Sequence, residues 1–177
     1  MTSIRRAGAV RRASRALAGL VIVAIAACLG GCGYSAGLRV SEKHRSVGIE
    51  FFGNETLERD VERPLYEQIT RAVRDLTDAP IESPSRAEVV VRGTVKVYQR
   101  RGGVRNTENV LLETGVYVEI HSSLIERATG RPLGPPVRLG RWVGFVLDDP
   151  ANEARARDRV LRHVADELVL DLFAPVD

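Results

Sequence analysis

The sequence is poor in the residues that most often carry catalysis, metal binding or cross-linking. It has two cysteines and three histidines among 177 residues. The histidines, His44, His121 and His163, are far apart in the chain. We find no paired Cys-x-x-Cys, His-Glu-x-x-His, Gly-x-Ser-x-Gly or phosphate-loop motif. The sequence therefore predicts no catalytic residue, no metal site and no cofactor, and the chain is not expected to be an enzyme.

Acidic residues are absent from the first thirty-one positions, which carry five arginines. An apolar run of roughly 14 residues follows these arginines and ends in Leu29-Gly-Gly-Cys32, the pattern of a secretory signal with a small-residue cleavage site. The run is shorter than the roughly 20 apolar residues of a membrane-spanning helix. Residues 1–31 are therefore predicted to be a signal peptide that is removed.

Cys32 directly follows the small residues of the predicted cleavage site. Leu-Gly-Gly-Cys resembles the bacterial lipobox, which implies a diacylglycerol on the Cys32 thiol and an acyl chain on the new amino terminus. Two or three acyl chains are needed for stable anchoring, because one acyl chain alone gives only marginal membrane binding. The simpler alternative is an ordinary signal peptide with a chance cysteine near its cleavage site. We predict lipidation of Cys32 as the membrane anchor.

Removal of the signal changes the charge of the chain. Without the five arginines, about 21 basic residues face 23 acidic ones, and the net charge is about −2. Nucleic acid is therefore not an expected partner. Since Cys28 leaves with the signal and Cys32 carries lipid, no thiol pair remains for a disulfide. The mature chain of roughly 146 residues must depend on its hydrophobic core, and this length suits one domain.

The hydrophobic pattern predicts a single α+β domain over residues 46–177, joined to the anchor by a tether over residues 32–45. Apolar residues recur at helical spacing in residues 61–76, and the last helix follows Asp149, which can cap it. Residues 88–98 place Val89, Val91, Val95 and Val97 on one face of a strand. We predict the order β-α-β-β-β-α, a mostly antiparallel four-stranded sheet and two helices on one face; the remaining strands are predicted at residues 46–52, 112–125 and 137–147.

Residues 99–109 are predicted to be a polar connection with Gly102-Gly103 at its tip. Four basic residues crowd this region: Lys96, Arg100, Arg101 and Arg105. Because the guanidinium group matches phosphate oxygens, these residues are candidate contacts for an anionic lipid headgroup or an acidic partner. The alternative is a solvated hairpin tip whose charges aid solubility. Similarly, Asp148 and Asp149 suggest either a cation site or a helix cap.

Several segments together resemble the LPS-assembly lipoproteins of the LptE family. The resemblance consists of Cys32-Gly33-Tyr34 after the signal, the strand from Val47 to Phe52, Asn54-Glu-Thr56 and an amphipathic helix. It covers essentially the whole mature chain. It implies an outer-membrane lipoprotein on the periplasmic face that plugs and helps assemble an LptD-like β-barrel LPS translocon and binds LPS. Under this resemblance the four basic residues are candidate LPS contacts.

Two other functional classes remain open. Curli-secretion-like lipoproteins and other components of envelope complexes can begin with a similar strand, turn and helix, and they form homo-oligomers. A lipid-anchored hydrolase is the third possibility, since catalytic groups can converge in space without a linear motif. A discrete large homo-oligomer would favour the second class over the first.

We expect Cys32→Ala to release the protein from membranes without unfolding it, because the tether should separate the anchor from an independent domain. Membrane fractionation measures the release, and circular dichroism of the released protein measures its fold. An unfolded variant would show that anchor and domain are not independent.

Overall fold

The computed structural model of the chain describes Leu38 and residues 46–174, without the side chain of Arg101. The predicted signal peptide, Cys32, His44 and the tether other than Leu38 lie outside the described residues. Leu38 forms a bridge with Thr77 and packs against the hydrophobic core. The elements in chain order are β1 (Val47–Ile49), β2 (Gly53–Asn54), α1 (Glu62–Leu76), β3 (Ile81–Glu82), β4 (Val89–Arg105), β5 (Leu111–Glu126), β6 (Arg131–Pro132), β7 (Val137–Val146) and α2 (Ala151–Phe173).

The described strands form one mixed sheet of seven strands in the order β3-β1-β4-β5-β6, with β2 beside β4 and β7 beside β5. Strand β1 is parallel to β3 and β4, whereas β4, β5 and β7 are antiparallel. The α+β class and the two helices are confirmed. The prediction of four mostly antiparallel strands was incomplete. It missed β2, β3 and β6, because these strands have only two residues each and leave no periodic signal. A parallel β1–β4 pair requires a crossover, and α1 lies in that connection.

Both helices cover one face of the sheet and bury a continuous core. Val116, Val118 and Ile120 alternate along β5 and are fully buried. Both helices pack into the same cluster, α1 through side chains that include Leu65 and Ile69. Full burial of one such aliphatic side chain contributes about 1.5–3 kcal/mol, so this cluster supplies most of the driving force for folding. The amphipathic pattern of the sequence predicted this arrangement correctly.

The start of α2 agrees in part with the predicted cap, since α2 begins at Ala151 with Pro150 at the N-cap position and Asp149 one residue before it. Asp149 Oδ1 accepts a hydrogen bond from the Ala151 backbone N–H at 2.9 Å, and Asp149 also pairs with Arg155 at 2.6 Å. These two contacts hold the pKa of Asp149 below its ordinary value, the backbone hydrogen bond being the larger cause. Asp148 accepts a hydrogen bond from the Asn152 side chain at 2.7 Å. Both aspartates therefore take part in the first turn of the helix, where negative charge is favourable.

A β-bulge at Lys96 reverses the faces of β4. Val95 lies opposite Ile120, but the next paired residue is Val97, which lies opposite Glu119. Two residues of β4 thus occupy the space of one residue of β5, and the side chains from Val97 to Arg100 point to the side opposite the one that strict alternation gives. Val97 therefore does not share a face with Val89, Val91 and Val95, as strict alternation had predicted.

The predicted polar connection over residues 99–109 is mostly strand. β4 continues to Arg105, and only five residues separate it from β5. Asn106 Oδ1 accepts hydrogen bonds from the backbone N–H groups of Glu108 and Val110 at 3.0 and 2.9 Å, which closes this turn. Gly102 and Gly103 lie within β4 at a register shift rather than at the tip. Polar composition had concealed the last part of a long strand, which remains paired with β5.

Phe51 is also placed differently from the expectation. It was predicted on the buried side of the first strand with Val47 and Ile49, but β1 ends at Ile49 and Phe51 is 64% exposed. Its ring stacks on Tyr66 of α1 at a centroid distance of 4.5 Å. Phe52 is buried, as predicted.

Among the described residues, neither helix combines the length and apolarity needed to cross a bilayer.

Because of the bulge, we predict that the same substitution at two nearby positions lowers the free energy of unfolding by different amounts. Val95→Thr places a hydroxyl in the buried core and should lower the free energy of unfolding by about 2 kcal/mol. Val97→Thr, on the partly exposed opposite face, should change it by less than about 0.5 kcal/mol. Denaturant unfolding of the two variants measures the difference, and equal losses would contradict the reversal of faces.

Candidate functional site

The face of the sheet opposite the helices is the candidate functional surface, and we call it the open face. Its side chains alternate with the core residues, and the cross-strand pairs identify them. It comprises Arg92, Thr94, Val97 and Gln99 of β4, Tyr117, Glu119, His121 and Ser123 of β5, and Arg138 and Trp142 of β7, with glycines at positions 115, 140 and 144.

Trp142 lies flat against the open face, on strand β7 at the edge of the sheet. A Cβ atom on Gly115 of the neighbouring strand would overlap the indole ring, and one on Gly144 would lie 2.8 Å from its Cη2 atom. Gly115 and Gly144 are themselves cross-strand partners. Only glycine leaves room for a ring so close to the backbone. The ring is nevertheless 54% exposed, so its outer face is accessible.

Tyr117 has a similar arrangement beside Trp142, its direct cross-strand partner. A Cβ atom on Gly140 would overlap the phenol group. The Tyr117 hydroxyl donates to Glu119 Oε2 at 3.1 Å, and His121 Nε2 lies 3.1 Å from Glu119 Oε1. The carboxylate thus joins a phenol and an imidazole in a row along one strand. These groups are polar and partly exposed, and the row begins at Tyr117 beside Trp142.

An ion pair lies at the other side of the open face. Arg92 Nε and Nη2 donate to the two carboxylate oxygens of Glu50 at 2.6 and 2.8 Å. This bidentate hydrogen bonding lowers the pKa of Glu50 and raises that of Arg92. The pair is largely exposed, and such pairs contribute about 1 kcal/mol or less to stability.

The structure separates three of the four basic residues that the sequence placed together, Lys96, Arg100 and Arg105. Lys96 Nζ lies 2.5 Å from Glu55 Oε1. Arg100 Nε donates to Glu153 of α2 at 2.7 Å, on the helix side of the sheet. Arg105 donates to the Asn109 carbonyl oxygen at 2.8 Å, in the turn. The Arg101 side chain lies outside the description, although its backbone pairs with Gly115.

These residues therefore do not form a single basic cluster. Nine positions along a strand span roughly 30 Å, so Lys96 and Arg105 are at opposite ends of the segment. Arg100 is on the helix side and has an acidic partner. The crowding expected from the sequence assumed a compact loop, whereas the segment is an extended strand. Whether any of the four contacts LPS remains a prediction.

The histidines are likewise distributed over different parts of the molecule. His121 is on the open face beside Glu119, and His163 is exposed on α2. Within residues 46–174 and Leu38, no three acidic, histidine or cysteine side chains are grouped in a way that could hold a metal ion.

The aromatic strip of Trp142 and Tyr117 was missed in the sequence. Trp142 was interpreted only as an anchor of a strand candidate. A usable signal was present in the glycines at positions 115, 140 and 144, which interrupt two otherwise strand-like runs. A glycine within a strand can mark a site of close approach. Its partner becomes apparent only when the register of the strands is known.

The close packing of the Trp142 ring on Gly115 and Gly144 predicts a spectroscopic change. Gly115→Ala should lift the indole ring from the sheet and shift its fluorescence emission to longer wavelength, and Trp142 is the sole tryptophan of the chain. Ser123→Ala, on the same face of β5, is the matched control and should leave the emission unchanged. An unaltered spectrum for Gly115→Ala would contradict the close packing.

Comparison with known proteins shows a shared fold. No family model matches the sequence, and no curated protein does. A Caulobacter crescentus CB15 structure described as a candidate lipoprotein has 19% identity and a TM-score of 0.51, over 72% of this chain and 87% of that one. A Xanthomonas campestris structure assigned to the family DUF330 has 12% identity and a TM-score of 0.52, over 77% and 86%. At these identities the likeness establishes the fold alone.

Proposed function

We propose that the chain is a lipid-anchored protein of the outer membrane, on its periplasmic face, that acts by docking rather than by catalysis. Its partner would be an LptD-like β-barrel that translocates LPS, which the protein would plug and help to assemble while binding LPS. The anchor is the lipid predicted on Cys32. The Cys-Gly-Tyr opening and the LptE-like pattern of the mature chain support this proposal, and the α+β fold agrees with them.

The observation that carries the proposal is the two-sided build of the domain. A protein that occupies a barrel lumen while a glycolipid passes needs one surface for the barrel wall and another for the glycolipid. The helix-covered side and the open face offer two surfaces of different chemistry on opposite sides of one sheet. The partly exposed aromatic and charged groups of the open face suit contact with another molecule better than they suit solvation alone.

A specific feature favours the alternative of an envelope module that forms homo-oligomers. Strand β7 pairs with β5 along one edge, and among the described strands none pairs with its other edge. An edge strand of ten residues is a template for pairing with another chain. Two side chains of α2 partly cover this edge: Arg159 donates to the Gly144 carbonyl oxygen at 3.4 Å, and Asn152 to that of Val146 at 3.0 Å.

Purification from outer membranes in mild detergent tests the two candidates together. The proposed function predicts a one-to-one complex with a large β-barrel protein. A discrete ring of many copies without a barrel would support the alternative and overturn the proposal. A monomer without a barrel would overturn the proposal as well.

The contribution of the basic residues is tested in the same purified complex. A triple variant with Arg100, Arg101 and Arg105 changed to Gln should bind LPS more weakly than the wild type does. Its melting temperature should change little, because exposed ion pairs contribute little to stability. Binding is measured by titration of the complex with LPS.

A second triple variant controls for the loss of three positive charges. It changes to Gln three exposed arginines of the two helices, Arg63, Arg74 and Arg162. This control should bind LPS as the wild type does. Equal binding by the first variant and the wild type would show that Arg100, Arg101 and Arg105 do not contact LPS. Equally weakened binding in both variants would show that only the net charge of the protein matters.

A further inference from the structure

Trp142 combines three properties on the solvent-facing side of the sheet. The ring is held flat by Gly115 and Gly144, its outer face is exposed, and its cross-strand neighbour Tyr117 and diagonal neighbour Glu119 are polar. We propose that this part of the open face binds a saccharide chain, with one pyranose ring stacked on Trp142. The inference goes beyond the proposed function and does not depend on the barrel partner.

Stacking on Trp142 follows from the electronic character of the ring. The face of an aromatic ring carries negative charge from its quadrupole. The C–H bonds on one side of a pyranose ring form a flat, weakly positive surface, which complements that face. Because Gly115 and Gly144 hold the indole parallel to the sheet, stacking requires little rearrangement of the protein. A preorganised ring loses less conformational freedom on binding than a mobile one.

The second element of the site is the row of hydrogen-bonding groups beside the ring. Tyr117 is the cross-strand neighbour of Trp142, at a Cβ separation of about 5 Å. Glu119 and His121 continue the row along β5 through the hydrogen bonds described above. Carboxylate, phenol and imidazole groups exchange hydrogen bonds with hydroxyl groups. A sugar stacked on the indole would have Tyr117 at one edge, and Glu119 and His121, which continue the row away from the indole, would contact the following sugars of the chain.

The aromatic surface is long enough for more than one sugar ring. The Trp142 ring extends over Gly144, and the Tyr117 ring extends over Gly140, so the two rings lean in opposite directions along β7. Four residues of strand separate these glycines, which corresponds to about 13 Å. The strip is therefore open and linear, as expected for a chain of sugars.

A protein segment is the main competing occupant, and the surroundings of Trp142 argue against it. The fully buried centre of a protein interface is usually depleted of charge. Here Glu119 and His121 lie next to the aromatic strip, and Gln99 is the cross-strand partner of Tyr117. Such a mixture of a flat ring and hydrogen-bonding groups complements a hydroxyl-rich ligand better than an apolar peptide.

Fluorescence titration tests the proposal directly, because Trp142 is the sole tryptophan. The full chain, purified from membranes in detergent, is titrated with cellohexaose, with chitohexaose and with core oligosaccharide released from LPS. We expect a saturable change of Trp142 emission with at least one of these probes. A response to the released core oligosaccharide alone would identify a glycolipid source, and a response to the other probes would identify a free glycan; both support saccharide binding.

Calorimetry of variants then locates the site. Trp142→Ala should weaken binding about tenfold, which corresponds to about 1.4 kcal/mol, because it removes the aromatic stack. Gly115→Ala retains the tryptophan but tilts it, and should also weaken binding. Phe51→Ala removes an exposed aromatic ring outside the open face and should bind as the wild type does. Melting temperatures confirm that all variants are folded.

Two results would overturn the proposal. One is the absence of saturable binding by any of the three probes, and the other is binding that Trp142→Ala leaves unchanged. If the emission changed only when a purified barrel protein was added, the open face would be a protein interface, which also contradicts saccharide binding. Failure to co-purify with a barrel, by contrast, would affect the proposed function and leave this inference intact.

Discussion

The alternation of side chains in β4, β5 and β7 is the constraint on which the rest of the structure depends. Val118 and Ile120 of β5 must face the helices, so the residues between and beside them must face away. Because α1 and α2 both pack on the same side, they leave the other side of the sheet without an intramolecular layer among the described residues. The surface available for function is thus a direct consequence of how the core is buried.

This constraint also explains which parts of the fold could be predicted from the sequence. The stripe of Leu65, Ile69 and Val73 and the alternation of Val116, Val118 and Ile120 are local patterns whose period identifies the element. The helices, β5 and β7 were therefore predicted close to their observed bounds, whereas β4 continues to Arg105, beyond the predicted end at residue 98. The two-residue strands were not, because they owe their conformation to their neighbours in the sheet rather than to a pattern of their own.

The errors at Val97 and in residues 99–109 share a physical cause. A bulge inserts one residue, which no pattern of hydrophobicity records, and it exchanges the faces of the side chains that follow it up to the next register shift. Polar composition was interpreted as a loop, although the segment is the exposed end of the long strand β4. Lys96, Arg100 and Arg105 are close in sequence but diverge along this strand, and Lys96 and Arg100 each pair with a carboxylate from a distant part of the chain.

The aromatic strip could not be predicted because its residues are far apart in the sequence and close together in the fold. Trp142, Gly115 and Gly140 come together only through the register of β5 and β7, and no local feature of the sequence gives that register. The strip matters because it places an accessible indole ring beside Tyr117, whose hydroxyl is hydrogen-bonded to Glu119, on the solvent-facing side of the sheet. Helix packing on one side and an accessible aromatic and polar surface on the other are therefore two results of the same alternation.

Oxidative footprinting of Trp142 in intact envelopes and in the purified protein tests this division of the sheet most directly. The account predicts that Trp142 is oxidised readily in the purified protein and is protected in envelopes, where its ligand or partner is present, whereas Phe51 is modified equally in both. Equal oxidation of Trp142 in the two preparations would contradict the claim that the open face is the working surface of the protein.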